Sequence, residues 1–258
     1  MSDRGSNRQR WTRDESLIVF NLYCRIPFEK SNRSHPDVQH TARLIGRTPD
    51  AVNMKIGNFG SLDPELKKRG IRGLRNASRL DQATWDEFHA DWEARINESQ
   101  QLISEREQAL GVGSLNREDI PLEGEERMAS RRVRVNQHFF REAVLSAYGG
   151  RCCITGIDLK TVLIASHIKS WKQSNRKEKL NPQNGLCLNA LHDRAFDRGL
   201  IAVNDDYTIA VSSLVSQSSN DAVRNMLLWY ESREIKTPSR FLPHTEFLQW
   251  HRDNIFTQ

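Results

Sequence analysis

The chain has 258 residues and a mass of 29.8 kDa, a length that predicts one or two domains. Hydrophobic residues make up 37% and charged residues 28%, with a mean hydropathy of −0.67, which indicates a soluble globular protein. No stretch approaches the roughly 20 apolar residues of a membrane span, and residues 1–11 lack the apolar core of a signal peptide. Membrane and secreted classes are therefore excluded, and a cytoplasmic location is expected.

The net charge of +5 is the sum of four blocks that differ in sign. Residues 1–80 carry 16 basic and 8 acidic residues, and residues 81–130 carry 4 and 13. Residues 131–204 carry 13 and 5, and residues 205–258 carry 5 and 7. Two basic blocks separated by an acidic block predict two modules that face polyanions, joined by a spacer. Chance clustering on a solvated surface is the alternative.

The first basic block predicts three short helices. Apolar spacing indicates one helix from about Thr12 to Cys24, a second over residues 35–45 and a third from Thr48 to about Phe59. Thr48 is a good N-cap for the third helix, and Pro49 suits its first position. Three short helices joined in this way indicate a helix-turn-helix domain.

In a helix-turn-helix domain the third helix would be the recognition helix. Asn53 and Lys55 would then contact base edges, and Arg47 would bind phosphate at the helix entry. The alternative is a small helical bundle whose polar face meets only water. Trp11 precedes the first helix and is expected to be a core aromatic rather than a base-stacking residue.

Residues 82–110 predict one long helix, because Trp85, Phe88, Trp92 and Ile96 form an apolar stripe at spacings of three or four. The other faces of this helix are acidic. Such a stripe packs on its own domain or on a second copy of the chain, so a homodimer stays open as an alternative.

The polar segment 111–130 predicts a linker between a helical domain, residues 1–110, and a second domain, residues 131–258. The second domain begins with a basic, strand-like run at residues 131–135. A helix is expected next, from Gln137 to Tyr148.

The middle of the second domain predicts a strand, a second strand and a helix. These elements cover Val162–Ile168, Gly185–Leu188 and Ala190–Arg198. Three polar side chains lie at the end of the first strand, at the start of the second strand and on the helix: His167, Asn184 and His192.

This arrangement resembles the HNH endonuclease family, whose motif is a ββα-metal fold. The resemblance spans residues 151–201 and is carried by four runs. They are C-x-x-T-G from Cys152, A-S-H-I around His167, N-G-L-C-L from Asn184 and H-D-R-A-F-D-R-G-L-I from His192. The expected fold class is therefore α+β, with an N-terminal all-α helix-turn-helix-like domain and a C-terminal ββα-metal HNH domain.

The resemblance implies a metal-dependent endonuclease that hydrolyses phosphodiester bonds of double-stranded DNA, in a restriction or defence role. By position, His167 matches the general base, and a neutral imidazole near pH 7 can take a proton from water. Asn184 matches the residue whose amide braces the hairpin. His192 matches the helix position that holds the divalent metal at the scissile phosphate.

One departure from the family pattern leaves the second metal ligand open. Many HNH nucleases place Asp or His immediately before the general base, but this chain has Ser166. Asp197 is the preferred carboxylate ligand and Asp193 the other candidate, although Asp197 could instead pair with a neighbouring arginine. An oxygen-rich site with one histidine favours Mg²⁺ or Mn²⁺.

Several basic side chains around this module are expected to follow the DNA backbone. They are Arg131, Arg132, Arg134, Lys169 and Lys172. Two rival functions remain: a non-catalytic DNA-binding protein with a degenerate HNH module, which Ser166 favours, and an interaction module that dimerises and binds a protein or RNA.

The four cysteines are predicted to be reduced and partly buried thiols. They are Cys24, Cys152, Cys153 and Cys187, and no two of them form a C-x-x-C pair.

Overall fold

The computed structural model describes residues 9–70, 77–111 and 124–257, with the side chains of residues 124–132 outside the described part. The helices are α1 Arg13–Arg25, α2 Pro36–Leu44, α3 Pro49–Leu62, α4 Pro64–Lys68, α5 Arg79–Ala90, α6 Trp92–Ala109, α7 Gly124–Ala147, α8 Ala190–Asp197, α9 Ser213–Ser216, α10 Asp221–Met226 and α11 Thr245–Asn254. The strands are β1 Leu163–His167, β2 Gly185–Asn189, β3 Ile201–Val203 and β4 Ile209–Val211. Helices with two small antiparallel sheets confirm the α+β class.

The three short helices of the first basic block are present as α1, α2 and α3, and each packs against the other two. Thr12 caps α1 in a reciprocal pair of hydrogen bonds with Glu15. The Thr48 side chain accepts a hydrogen bond from the backbone N–H of Ala51, and Pro49 is the first residue of α3. The local start signals therefore predicted these helices well.

The single helix predicted over residues 82–110 is wrong, because α5 and α6 are separate helices that meet at Asp91. The backbone of Asp91 is not helical, with φ −155° and ψ 89°. Its carboxylate accepts a hydrogen bond from the backbone N–H of Ala94 and so caps α6. The apolar stripe still faces the core, since Phe88 and Trp92 are both buried around Phe20.

The strand-like start predicted at residues 131–135 is also wrong, because α7 runs through it. The helix predicted from Gln137 is the second half of α7, whose buried side chains recur at helical spacing. They are Phe139, Phe140, Ala143, Val144 and Ala147. The helix begins at Gly124, inside the segment predicted as a linker. The domain boundaries stay a prediction.

The hairpin of β1 and β2 lies between two helices. Successive residues of a strand face opposite sides, and His167 stacks on Phe140 of α7 while the preceding residue, Ser166, lies beside Asp193 of α8. His167 is paired with Gly185 across the hairpin. A Cβ on Gly185 would lie 2.4 Å from a methyl carbon of Val144, so a larger residue there would push the hairpin away from α7.

A buried arginine joins the first and last parts of the chain. The guanidinium of Arg240 is fully buried and donates hydrogen bonds to the carbonyl oxygens of Tyr23 and Ile26 and to the hydroxyl of Ser146. Helix α1 also packs directly against α7. None of the helices in the described ranges combines the length and apolar character of a membrane span.

Candidate active site

His167 is the last residue of β1 and is held on three sides. Its Nε2 lies 3.0 Å from the carbonyl oxygen of Lys179. Its ring stacks on Phe140 with centroids 3.8 Å apart and an interplanar angle of 9°. Trp171 meets the ring edge-on, with centroids 5.7 Å apart. These contacts fix both the position and the rotation of the imidazole.

The contact with Lys179 also decides which nitrogen of His167 carries the proton. A carbonyl oxygen only accepts hydrogen bonds, so Nε2 must be the N–H donor in the neutral ring. Nδ1 then keeps a free lone pair. Burial lowers the pKa of His167, and the hydrogen bond to the Lys179 carbonyl offsets this effect only in part. The ring is therefore neutral near pH 7 and able to accept a proton at Nδ1.

Asn184 is fully buried and binds the backbone directly after His167. Its Oδ1 accepts a hydrogen bond from the backbone N–H of Lys169 at 2.8 Å, and its Nδ2 donates to the Lys169 carbonyl at 3.0 Å. Nδ2 also donates to the Ser174 hydroxyl at 3.2 Å. The backbone carbonyl of Asn184 accepts from Ile168 at 3.0 Å. Both ends of the amide thus brace the loop that follows the histidine.

His192 is buried on α8, and its role as a metal ligand stays a prediction. Its Nδ1 lies 3.1 Å from Oδ1 of Asn189, and its ring meets Tyr230 edge-on at 5.3 Å. Burial lowers its pKa, and the backbone carbonyl of Met226 raises it by less. The ring therefore faces α10 and the turn after it, and none of these neighbours borders the surface around His167.

Asp193 and Asp197 lie one turn apart on α8 and so share one face of the helix. Burial raises the pKa of Asp193, and the hydroxyl of Ser166 partly offsets that rise. Burial also raises the pKa of Asp197, and the negative charge of Asp193 raises it further. Arg194 lowers the pKa of both carboxylates, and Arg198 lowers that of Asp197, but burial has the larger effect.

The carboxylate pair offers the oxygen ligands that a hard divalent cation prefers. Mg²⁺ is commonly bound by one or two carboxylates together with water and substrate phosphate. A positive ion would relieve the repulsion that raises the pKa of Asp197. Within the described ranges no group of three or more His, Cys, Asp or Glu side chains has the arrangement of a metal site. Any cation there would depend on ligands from outside the protein.

Two of the predicted DNA contacts in the helical domain have internal partners instead. The Arg47 guanidinium binds Glu15 at 2.8 Å and lies over the ring of Trp11 at 4.3 Å. Lys55 is 2% exposed and forms a buried ion pair with Asp81. The prediction that Arg47 and Lys55 contact DNA does not fit this packing, because phosphate and bases cannot reach side chains already bound inside the domain.

The face that α3 presents to solvent is not basic. Its exposed residues include Asp50 and Met54, and Asn53 is half-buried. Asn53 contact with DNA stays a prediction. Trp11, partly buried against the core beneath Arg47, is the core aromatic that the sequence indicated.

The basic residues predicted around the nuclease module differ in their availability. Arg134 and Lys172 are exposed. Lys169 forms an ion pair with Glu178 at 2.8 Å, which stabilises the loop after His167. Arg131 and Arg132 lie on α7, with side chains outside the described part.

Residues that sequence reasoning missed lie on the other side of His167. Arg194 on α8 and Arg198 directly after it are exposed, and Trp250 of α11 lines the same depression. The arginines occur four residues apart, a spacing that places them on one helix face. Trp250 carries no motif signal, since α11 reaches the site only through the fold.

All four cysteines are buried free thiols, as the sequence predicts. Burial raises the pKa of Cys187 to about 12, and the nearby Cys152 contributes to the rise. Such protonated thiols are poor nucleophiles and poor metal ligands.

A comparison with protein families gives a match for part of the chain. The family model described as HNH endonuclease matches residues 152–204, a span that contains β1, β2, α8 and β3. No curated protein matches the chain. The matched span holds His167, Asn184, Asp193 and Asp197. Residues 152–204 are therefore similar to the HNH endonuclease family, which suggests nuclease-type activity.

Proposed function

We propose that the protein is a metal-dependent DNA endonuclease in which His167 is the general base. The observation that carries this proposal is the contact between Nε2 of His167 and the Lys179 carbonyl, which leaves Nδ1 as a free acceptor on a neutral ring. Hydrolysis of a phosphodiester needs such a base to take a proton from the attacking water. The predicted double-stranded DNA substrate and the restriction or defence role remain part of the proposal.

The protein's own residues account for proton transfer and positioning. Nδ1 of His167 accepts the proton from water, and the positive charge that forms is shared through Nε2–H with the Lys179 carbonyl. Asn184 holds the backbone directly after His167, because it accepts hydrogen bonds from the backbone N–H groups of Ile168 and Lys169. Phe140 keeps the imidazole from rotating away. Asn184 and Phe140 are positioning residues, since neither needs to touch the substrate.

Asp193 and Asp197 are the residues that would hold the divalent cation, with Mg²⁺ or Mn²⁺ as the candidates. When bound there, the cation would stabilise negative charge on the scissile phosphate and on the leaving 3′ oxygen. The position of the two carboxylates one turn apart on α8, with Asp193 beside Ser166, supports this assignment. The substrate phosphate would complete the ligand set, as is usual for Mg²⁺.

A plasmid-nicking assay tests the proposed function. Wild-type protein is expected to nick supercoiled DNA with Mg²⁺ or Mn²⁺ and to be inactive with EDTA. The variant His167→Ala is expected to lose nicking while it still binds DNA. His138→Ala, which removes an exposed histidine on α7, is the matched control and is expected to retain activity. Nicking by His167→Ala at the wild-type rate would remove His167 from the mechanism.

A second candidate function is DNA binding by a degenerate HNH module. Ser166 in place of a usual ligand and the lack of a three-donor cluster among the described residues favour it. Under this candidate the wild-type protein binds DNA but does not nick it with any divalent cation. Double-strand cleavage by single HNH sites would take a homodimer or two sequential events, and the homodimer stays a prediction that sedimentation analysis can test.

A further inference from the structure

His167 borders two shallow surface depressions, one on each side of it. The first, which we term the α7 depression, is formed by Gln137, Phe140, Arg141 and Trp171 together with β1. The second, which we term the α11 depression, is formed by Ser170, Arg194, Asp197, Arg198 and Trp250 with the end of α11. Each depression therefore contains a tryptophan and at least one arginine beside the same histidine.

The arginines of the α11 depression are available to an anion. Arg194 and Arg198 are exposed, and neither forms an ion pair with any residue of the described ranges. Their guanidinium groups can therefore bind a neighbouring phosphate.

Trp250 is held in place by the residue that follows it. Nε2 of His251 lies 3.0 Å from the carbonyl oxygen of Phe196, and its ring stacks on Phe196 with centroids 3.6 Å apart. Since Phe196 belongs to α8, this contact fixes α11 against the helix that carries the arginines. The indole of Trp250 is thus a partly exposed aromatic surface at a fixed position beside the site.

The α7 depression offers the same two chemical features in a different form. Arg141 donates hydrogen bonds to the carbonyl oxygens of Leu163 at 2.8 Å and Lys160 at 3.3 Å, and it has no carboxylate partner in the described ranges. Trp171 is half-buried against His167, and Lys179 adds a second positive charge 5.5 Å from the indole ring. Positive charge and an indole therefore recur on this side.

We propose that one DNA strand crosses His167 and places a nucleotide in each depression. The chemical basis is that the two patterns correspond. In the DNA strand a nucleotide lies on each side of the scissile phosphate. In the protein a depression with an arginine and an indole lies on each side of His167. Trp171 and Trp250 would contact the flanking sugars, and Arg194 and Arg198 would bind the next phosphate. This proposal rests on the proposed endonuclease function. Since sugars and phosphates are common to all sequences, contacts with them recognise a strand rather than a sequence.

Equilibrium binding of a fluorescein-labelled DNA duplex of random sequence, measured in EDTA at several salt concentrations, tests this path. Trp171→Ala and Trp250→Ala are each expected to raise Kd by about 5-fold, since each removes apolar area that a flanking sugar would cover. Trp229→Ala, which removes an indole that is 59% exposed outside both depressions, is the matched control and is expected to change Kd by less than about 2-fold.

The arginines have a readout that a purely structural role would not change. The double variant Arg194→Gln with Arg198→Gln is expected to lower the slope of log Kd against log salt by about 1 to 2, roughly one for each lost phosphate contact. Arg224→Gln, an exposed arginine on α10, is the control and is expected to leave the slope unchanged. Trp250→Phe keeps an aromatic ring and is expected to bind nearly as well as the wild type.

The outcomes separate this proposal from the endonuclease proposal. If Trp171→Ala or Trp250→Ala binds like Trp229→Ala, or if the double arginine variant keeps the wild-type slope, the strand path is wrong. Metal-dependent nicking by the wild type would still stand in that case. If the wild type binds the duplex but never nicks, the endonuclease proposal fails while the binding comparison is still decisive. Thermal unfolding identifies a variant that does not fold. In that case the salt dependence of the double arginine variant and the Kd of Trp250→Phe decide whether the strand path is correct.

Discussion

The carbonyl oxygen of Lys179 lies 3.0 Å from Nε2 of His167, and this contact selects the nitrogen that can act as a base. Lys179 belongs to the loop that joins β1 to β2, and Asn184 braces that loop from its far end. The hairpin therefore sets the tautomer of the histidine at its own tip. The loop carbonyl therefore determines that the imidazole accepts a proton at Nδ1.

We expect the rate of DNA nicking to be constant around neutral pH and to fall only in acid. His167 is active when neutral, and burial lowers its pKa below the ordinary value of 6.5. The rate should rise as pH increases through this lowered pKa and reach its plateau above it. Single-turnover nicking rates with saturating Mg²⁺ between pH 5 and 8 measure this limb. If the nicking rate fell to half its plateau value at a pH above 7, the ring of His167 would not be neutral near pH 7 as proposed.

The replacement Asn184→Ala should loosen the loop after His167 and reduce both stability and activity. It removes hydrogen bonds to Lys169 and Ser174 and leaves buried backbone groups without partners. Each buried polar group left unpaired costs about 1–3 kcal/mol. Denaturant unfolding and nicking assays measure the two losses.

Asn175→Ala is the matched control for Asn184→Ala, since Asn175 is exposed on the same loop. It should be milder in both measurements. Wild-type activity for Asn184→Ala would show that the brace is not needed for catalysis.

The double variant Asp193→Asn with Asp197→Asn should lose stabilisation by divalent cations. Without a cation the variant should be at least as stable as the wild type, because the mutual repulsion that raises the pKa of Asp197 is gone. A cation at 100 times its Kd stabilises a folded protein by about 2.7 kcal/mol. Thermal unfolding with and without Mg²⁺ therefore gives a readout separate from DNA cleavage.

Asp158→Asn serves as the control for the carboxylate pair, because Asp158 is exposed within the same module. It should keep the wild-type response to Mg²⁺. If the double variant responds to Mg²⁺ as the wild type does, these two carboxylates do not hold the cation. The variant His192→Ala would then be the next test.

Breaking the Lys55–Asp81 ion pair should destabilise the helical domain. Both side chains are almost fully buried, and Asp81 also accepts hydrogen bonds from Asn58 and from the backbone of Ser78. Removal of one partner of a buried pair costs about 3–5 kcal/mol, since the other charge is left uncompensated. Urea unfolding of Lys55→Ala measures this loss.

The exposed Lys68→Ala is the control for Lys55→Ala and should have little effect on stability. Folded Lys55→Ala should bind DNA like the wild type, because Lys55 is not at the surface. A specific loss of DNA affinity with unchanged stability would restore Lys55 as a contact residue.

The predictability of the site differed between its residues. His167 could be predicted as a site residue because it ends a short apolar strand, and Asn184 because it directly precedes the next one. Both stand at fixed places in a linear motif. His192 was assigned in the same way, but the motif does not state which residue of a helical turn faces the hairpin. The ring of His192 packs on Tyr230, and Asp193 lies beside Ser166. One step along α8 rotates a side chain by about 100°, so neighbouring residues face different partners.

By itself the sequence determined several helix starts and the HNH-like order of two strands and a helix. Capping residues such as Thr12 and Thr48 act over one helical turn, so their effect can be predicted without the fold. The β1–β2–α8 order and the C-x-x-T-G, A-S-H-I and N-G-L-C-L runs are also local. Basic composition indicated a polyanion partner but not the side chains that meet it.

Only the tertiary structure decided which charged and aromatic side chains face inward. Arg47 pairs with Glu15 and Lys55 with Asp81, residues far apart in the sequence that packing brings together. Trp250 reaches His167 only because His251 fixes α11 on α8. A periodic pattern shows that a helix has two faces, but the partner that covers one face comes from elsewhere in the chain. The surface available to DNA is therefore set by the packing of distant elements.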